Sequence, residues 1–321
     1  MSTPILQVRD VHVRYGRNGL HAVAGVDLDL ARGETLGVVG ESGCGKSSLA
    51  RALMQMPPPS AGTVAYNGQE LTGLRGQELR RIRLDLQMVF QDPIASLHPL
   101  RTVRQLVGEP LGVWRIGTKD ERKVTVDEML RAVGLDPDVA GDRRPGQLSG
   151  GQCQRVAIAR ALVAGARVLI CDEPISSLDV SLRATVLNLL EELKERMDLS
   201  ILFIAHDLAV VRNISDRVMV MYLGKVCEVG PSAELFASPL HPYTRALIDS
   251  VPVAMPGAAT PEPAIIGDPP SPSNVPSGCR FRTRCPLAQQ VCAEEEPQLR
   301  EMEPHHSVAC HFAETPGEGK R

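Results

Sequence analysis

Apolar and polar positions change period several times along the chain, and each change predicts an element. Leu6, Val8, Val11, Val13 and Tyr15 alternate with polar residues on either side of Arg9-Asp10, predicting a strand pair or one bent strand. Val26-Asp27-Leu28-Asp29-Leu30 alternates cleanly and predicts another strand. Thr35 to Val39 is a short apolar run, as a buried strand would be, and Ser47 to Met54 can continue as a helix. Three prolines and two glycines between Pro57 and Gly68 read as a turn. Leu86 to Phe90 is a further strand. From about residue 100 to 165 the pattern is helical with Gly and Pro breaks, and the helix through Asp127 to Val133 stops at Gly134. Strand and helix then alternate. Arg167 to Cys171 is a buried strand. Leu182, Val186, Leu189, Leu190 and Leu193 share one face of a helix, and Ser200 to Ala205 is the next strand. Arg217–Tyr222 and Lys225–Val229 flank Leu223-Gly224, a hairpin signal. Residues 251–276 hold eight prolines, which predicts an extended run over a surface.

Composition narrows this picture. The 321 residues allow one large domain and a smaller one, and the 43 % apolar content supports a real core. Aromatics are only 3 %, so that core is aliphatic. A net charge of −3 gives no reason to expect nucleic acid as a partner. No apolar run approaches the length of a membrane span, and the first ten residues lack the basic and apolar regions of a signal peptide. A cytosolic setting is therefore expected, where disulfides are rare. Eight cysteines then need another explanation. Cys279, Cys285, Cys292 and Cys310 crowd into the tail, while Cys44, Cys153, Cys171 and Cys227 are scattered.

The chemistry centres on Gly40-Glu41-Ser42-Gly43-Cys44-Gly45-Lys46-Ser47-Ser48, which contains G-x-x-x-x-G-K-S. Between a predicted strand and helix, such a loop turns backbone N–H groups around a polyphosphate. Its lysine reaches the terminal phosphates, and its serine hydroxyl can ligate Mg²⁺. Cys44 beside the helix start is expected to have a lowered thiol pKa and to react with thiol reagents unless a bound nucleotide protects it. Asp172-Glu173 ends an apolar strand. Asp172 is suited to hold Mg²⁺ through water and Glu173 to polarise the attacking water. The alternative is a helix-capping acidic pair before Pro174. Leu148-Ser149-Gly150-Gly151-Gln152 opens a second helix that can meet an anion.

These motifs, together with Gln91, Ser177-Leu178-Asp179 and His206, occur in the order and spacing of an ABC-transporter ATPase, which the chain resembles over residues 5 to 235. The resemblance implies an α/β fold: a RecA-like P-loop ATPase core with an antiparallel β subdomain and a helical subdomain at about 92–165. It also implies ATP and Mg²⁺ as cofactors, and two such domains paired head to tail over two ATP molecules. Tyr15 would stack on adenine. Lys46 and Ser47 would hold phosphate and metal, Asp172 and Gln91 would join in holding Mg²⁺, Glu173 would be the general base, and His206 would contact the γ-phosphate. Ser149, Gly150, Gly151, Gln152 and Asp179 would serve the nucleotide on the partner. Ile175, Ser177 and Cys153 depart from the family's usual Thr, Ala and basic residue, but none removes a catalytic group.

Ser238-Pro239-Leu240-His241-Pro242-Tyr243 and Gly278-Cys279-Arg280-Phe281-Arg282-Thr283-Arg284-Cys285-Pro286 resemble the extension of oligopeptide/dipeptide importers. Gln91-Asp92-Pro93 with Ser96-Leu97-His98-Pro99 fits too, with His98 where Asn is usual. Gln152-Cys153-Gln154-Arg155 and Asp268-Pro269-Pro270-Ser271-Pro272 resemble the F-type ATPase subunit of such importers. The expected organisation is an ATPase domain at 1–237 and a small irregular, Pro-rich extension at 238–321. The expected partners are a D-type ATPase in a heterodimer, two transmembrane permease subunits and an extracytoplasmic peptide-binding protein. The chain itself would sit on the cytoplasmic face of the inner membrane. Related ATPases serve nickel or glutathione uptake. A soluble ABC ATPase of translation or DNA repair would bring a second cassette or a coiled-coil insertion, and neither is present.

The tail cysteines follow C-x5-C-x6-C-x17-C, unlike the paired C-x2-C of zinc ribbons. Four thiolates there can hold a [4Fe–4S] cluster, which the resemblance also implies. Zinc, with His305, His306 or His311 as further ligands, and four free or packing cysteines are the alternatives.

Overall fold

The computed structural model describes residues 4–16, 19–176, 178–250 and 267–313. Ser177 and residues 251–266, most of the Pro-rich run, lie outside the described residues. Within that run, residues 267–276 form turns with no helix or strand. The strands are β1 (Leu6–Tyr15), β2 (Leu20–Leu30), β3 (Thr35–Val39), β4 (Ala61–Tyr66), β5 (Gln69–Glu70) and β6 (Leu86–Val89). They continue with β7 (Val168–Asp172), β8 (Ser200–Ile204), β9 (Arg217–Tyr222), β10 (Lys225–Pro231), β11 (Arg300–Glu303) and β12 (His306–Val308). The chain divides into two units, a helical one (1–5, 30–34, 73–204) and a β-rich one (6–29, 35–72, 205–321).

In the helical unit β6, β7 and β8 run parallel, Val168 pairing with Leu86 on one side and Ser200 on the other. Every residue of β7 and β8 is buried, as expected of parallel strands covered on both faces. The helices Val103–Trp114, Lys119–Ala132 and Gly150–Leu162 pack on one another. Each opens with a capping box: Thr102 with Gln105, Thr118 with Glu121, Ser149 with Gln152. Each box satisfies two N–H groups that a helix start otherwise leaves without partners. Arg104 Nε donates to Asp127 Oδ1 at 2.9 Å, linking the first two helices.

The β-rich unit contains an antiparallel sheet in the order β2-β1-β4-β5. The alternation around Arg9-Asp10 belongs to one bent strand. Asp10 takes φ +48° and the register to β4 shifts between Arg9 and His12. β4 lies inside the segment read as a turn from its prolines and glycines; its pairing with β1, Val8 opposite Val64, makes it a strand. A second run follows the order β11-β12-β10-β9-β3. β3 is parallel to β9, and β9 and β10 form the antiparallel hairpin predicted at Leu223-Gly224. β12 of the extension pairs with β10, Glu228 opposite Val308. Glu228 is fully buried and accepts hydrogen bonds from the backbone N–H groups of Leu240 and His241, and its carboxylate meets His306 Nε2 at 2.7 Å. These contacts bind the extension to the β10 strand. Among the described residues no helix is long and apolar enough to cross a membrane.

Candidate nucleotide site

The strand, loop and helix predicted around Gly40 are all present. β3 is buried throughout and delivers the chain to Gly40, which takes φ +150°. A Cβ there would lie 2.1 Å from the Met221 carbonyl oxygen, so only glycine fits. The helix Lys46–Leu53 starts at Gly45 (φ +106°), with no side-chain cap on its first turn. Lys46 is 4 % exposed. Its Nζ donates to the Gly40 carbonyl at 2.7 Å and the Glu41 carbonyl at 3.1 Å, inside the curve of its own loop. Ser47 and Ser48 are half-buried, while Ser42 and Gly43 are exposed. Gly224, at the tip of the β9–β10 hairpin, donates its N–H to the Cys44 carbonyl at 2.7 Å and props the loop from behind.

Cys44 corrects an expectation. The thiol is 3 % exposed, and burial pushes its pKa up, with Lys46 only opposing the rise. Desolvation of the thiolate outweighs the favourable helix start. Cys171, inside β7, is likewise pushed up by burial.

Tyr15, half-buried at the end of β1, lines a cavity of about 750 Å³ in the β-rich unit. His21, Pro272, Ser273 and Arg280 line it too. His206 is exposed, one residue beyond Ala205, whose N–H donates to the Val38 carbonyl at 3.2 Å. This register places His206 level with the end of the strand that feeds the phosphate loop.

In the helical unit β7 ends at Asp172, which is 3 % exposed. Glu173 follows with φ +49°, a left-handed conformation that costs a non-glycine residue on the order of 1 kcal/mol. Its N–H donates to the Ile204 carbonyl at 2.9 Å, which holds the turn. Gln91 Nε2 donates to Glu173 Oε2 at 3.1 Å, so two residues 82 positions apart, both singled out from sequence, meet here. Ser149 caps its helix: its Oγ accepts from the Gln152 N–H at 3.3 Å, and Gln152 Oε1 accepts from the Ser149 N–H at 3.0 Å. Asp179, exposed, stands at the start of the helix Val180–Met197 without capping it through its side chain. Cys153 is fully buried and its Sγ lies 3.6 Å from the Pro145 carbonyl, so it packs inside the helical unit where a basic residue is usual.

The four tail cysteines are free thiols. Cys279 donates its N–H to the Cys292 carbonyl at 2.8 Å. Burial pushes the Cys279 thiol up to about 11, with Cys292, Cys310 and Cys285 adding to the rise, while the Phe281 N–H opposes it. Cys285 and Cys310 are pushed up in the same way, by burial first, and the N–H groups of Leu287 and Phe312 oppose. In all three, an opposing N–H donor sits two residues after the cysteine. Among the described residues, no three His, Cys, Asp or Glu side chains are grouped as ligands of a metal ion.

Sequence reading gave no role to Arg284, Tyr222 or Tyr243, although all three meet at the phosphate loop. The sequence signals were the two motifs of the extension that contain Tyr243 and Arg284 and the hairpin strand that ends at Tyr222.

A glycine loop that buries its lysine on its own carbonyls and an acidic pair closing a buried strand define a P-loop nucleoside-triphosphatase of the ABC cassette class. Known proteins agree. The ABC transporter family matches residues 23–176, and the C-terminal region of oligopeptide/dipeptide transporters matches residues 227–292. The oligopeptide transport ATP-binding protein AppF of Bacillus subtilis is 48 % identical over 96 % of this chain and 97 % of its own length. OppF of Escherichia coli, named in the same way, is 51 % identical over 91 % and 87 %. Among solved structures, cbiO1 from Clostridium perfringens, part of the ABC transporter complex cbiONQ, aligns with a TM-score of 0.67 at 32 % identity over 74 % of this chain and 92 % of its own. The ATP-binding cassette MJ0796, solved as a dimer in a post-hydrolysis state with ADP and Pi, aligns at 0.65 and 30 % identity over 71 % and 98 %. The chain belongs to the oligopeptide transport ATP-binding proteins of the ABC transporter family, and it is an ATPase.

Proposed function

We propose that the chain is the ATP-hydrolysing subunit that energises peptide uptake through an ABC importer. The observation that carries the hydrolytic part is the contact between Gln91 and Glu173 beside Asp172. A glutamate that Gln91 and the Ile204 carbonyl hold in a left-handed turn supports the reading of Glu173 as a base rather than as a helix cap. The names of the relatives and the C-terminal match support peptide as the cargo.

In this reading Lys46 takes the terminal phosphates, and Ser47, Gln91 and Asp172 hold Mg²⁺. Glu173 accepts a proton from the attacking water, and His206 donates to the γ-phosphate. Tyr15 stacks on adenine. The first-turn N–H groups of Gly150 and Gly151, with Ser149, Gln152 and Asp179, serve the ATP held by a second ATPase subunit of D type. ATP binding closes that pair, and hydrolysis reopens it. Two transmembrane permeases carry the peptide, an extracytoplasmic binding protein selects it, and the chain works from the cytoplasmic face of the inner membrane. The organisation into an ATPase domain at 1–237 and an extension at 238–321 is part of the same reading.

We further propose that Cys279, Cys285, Cys292 and Cys310 hold a [4Fe–4S] cluster. Support comes from the donor set itself: four free thiols, three of which (Cys279, Cys285 and Cys310) have a backbone N–H two residues on that could bond a cluster-bound sulfur. The cluster would cross-link the turns that carry the four cysteines. Anaerobic purification followed by iron and sulfide assays tests it, and a colourless, iron-free protein refutes it.

The hydrolytic proposal is tested by Glu173→Gln in the reconstituted complex. Turnover falls about 10²-fold or more, and the ATP-bound pair accumulates in its closed state. Unchanged turnover rejects Glu173 as the base. Identifying the peptide that co-purifies with the complex tests the cargo.

A further inference from the structure

One turn of the cysteine-bearing extension touches the phosphate loop directly, and every residue involved lies in the β-rich unit. Arg284, next to Cys285, grips the Glu41 carboxylate with both ends of its guanidinium. Nη1 donates to Oε2 at 2.8 Å and Nη2 to Oε1 at 3.0 Å. The arginine side chain is 7 % exposed and the glutamate 25 %, so the pair is largely shielded from water. Nη1 also donates to the Tyr222 hydroxyl at 3.3 Å, and the guanidinium lies over the Tyr222 ring. The Glu41 backbone is held too: its N–H donates to the Tyr243 hydroxyl at 2.9 Å. Its carbonyl accepts from Lys46 Nζ. Phe281 packs edge-on against Tyr222, 5.3 Å between ring centres, and fixes the turn that carries Arg284. The same turn reaches the loop's other flank. Arg280 donates to the Leu223 carbonyl beside Gly224, the residue that props Cys44, and Arg280 also lines the cavity with Tyr15.

We propose that Arg284 is a positioning residue of the ATP site: by neutralising and anchoring Glu41 it shapes the phosphate loop for polyphosphate, so that the extension sets ATP affinity. The proposal rests on the ATP-binding reading of the loop and is independent of the cargo. The physical argument is electrostatic and geometric. Glu41 is an acid inside a loop that must attract an anion. Paired in a fork, its negative charge is balanced by the guanidinium; unpaired, it repels the incoming phosphates and lets the loop carbonyls around Lys46 shift. A lysine at 284 supplies charge but no fork.

The test is the equilibrium affinity of the purified full-length chain for Mg·ATP in the Glu173→Gln background, with ATPase kinetics of the reconstituted complex in parallel. Arg284→Ala raises Kd and KM about tenfold while kcat at saturating ATP stays within about twofold. Adding Glu41→Gln to Arg284→Ala returns Kd to within about threefold of the parent, because the unpaired carboxylate has gone. Arg284→Lys lies between. Melting curves establish that each variant is folded. If Arg284→Ala does not fold, Arg284→Lys with and without Glu41→Gln carries the same comparison. The proposal is overturned if the Arg284 variants bind ATP as tightly as the parent, or if Glu41→Gln gives no recovery. A parent chain that does not bind ATP would instead reject the reading of the loop.

Discussion

Two helices of this chain begin at glycine-containing turns, and they are built in opposite ways. The helix at Lys46 starts from a left-handed Gly45 with no side-chain cap. Besides Lys46 on its own carbonyls, its loop is held from elsewhere in the chain: the Gly224 N–H on Cys44, the Tyr243 hydroxyl on Glu41, and the Arg284 fork. The helix at Gly150 is closed by its own residues, Ser149 and Gln152 exchanging hydrogen bonds. The first site is shaped by sequence-distant contacts and leaves its own first turn for a ligand. The second is locally complete: its own residues cap the helix start. In the proposed reading, the difference separates a helix start that takes this chain's own nucleotide from one that serves a nucleotide on another subunit.

The largest effect that tests this contrast is expected at Lys46. Lys46→Ala removes the buried ammonium that bridges the Gly40 and Glu41 carbonyls. It should reduce ATP turnover about 10²- to 10³-fold, comparable to deleting a transition-state donor, and should weaken ATP binding by the isolated chain. Equilibrium binding and phosphate release measure both. Retained binding with retained turnover would remove the loop from the site.

Ser149→Ala should act differently. In the isolated chain it loses only the cap, about 1 kcal/mol, or about 2–4 °C in melting temperature, with the Kd for ATP unchanged. In the reconstituted pair it should lower turnover about tenfold or more if, as proposed, the hydroxyl serves nucleotide held by the partner. A change in the isolated chain's Kd would show that both helix starts serve one nucleotide.

The legibility of the molecule follows the same contrast. The phosphate loop was readable because strand, glycines, lysine and helix are contiguous, and short-range geometry dictates them. The buried run ending in Asp172-Glu173 was readable for the same reason. β4 was not: Pro57, Pro58, Pro59 and Gly62 signal a turn, and only pairing with β1 makes Ala61–Tyr66 extended. The Arg284–Glu41 pair joins residues 243 positions apart, and no local pattern of charge predicts which arginine of the extension finds which acid. The strands β11 and β12 were hidden as well. Their residues are largely polar, and their pairing depends on β10 and on the buried Glu228–His306 contact.

Cys44 is where local reasoning failed, and it is also the smallest predicted effect. A thiol beside a helix start looks activated, since the N-terminal partial charge favours thiolate. Packing decides otherwise. Sγ is enclosed, with Lys46 Nζ 3.8 Å away, and burial raises the pKa more than Lys46 lowers it. A thiol whose pKa is raised stays neutral at pH 7 and ionises only as the pH passes above its ordinary value of 9. Maleimide should therefore label Cys44 more slowly than an unburied thiol at pH 7, with the rate climbing only in the alkaline range. Peptide mapping by mass spectrometry over a labelling time course measures this. Cys44→Ser should leave both turnover and sensitivity to thiol reagents within about twofold, since its neutral thiol offers no reactive thiolate at pH 7. Fast, ATP-protected labelling of Cys44 at neutral pH would show that the helix start outweighs burial, and that this loop is more open to solvent than its contacts with Gly224 and Tyr243 imply.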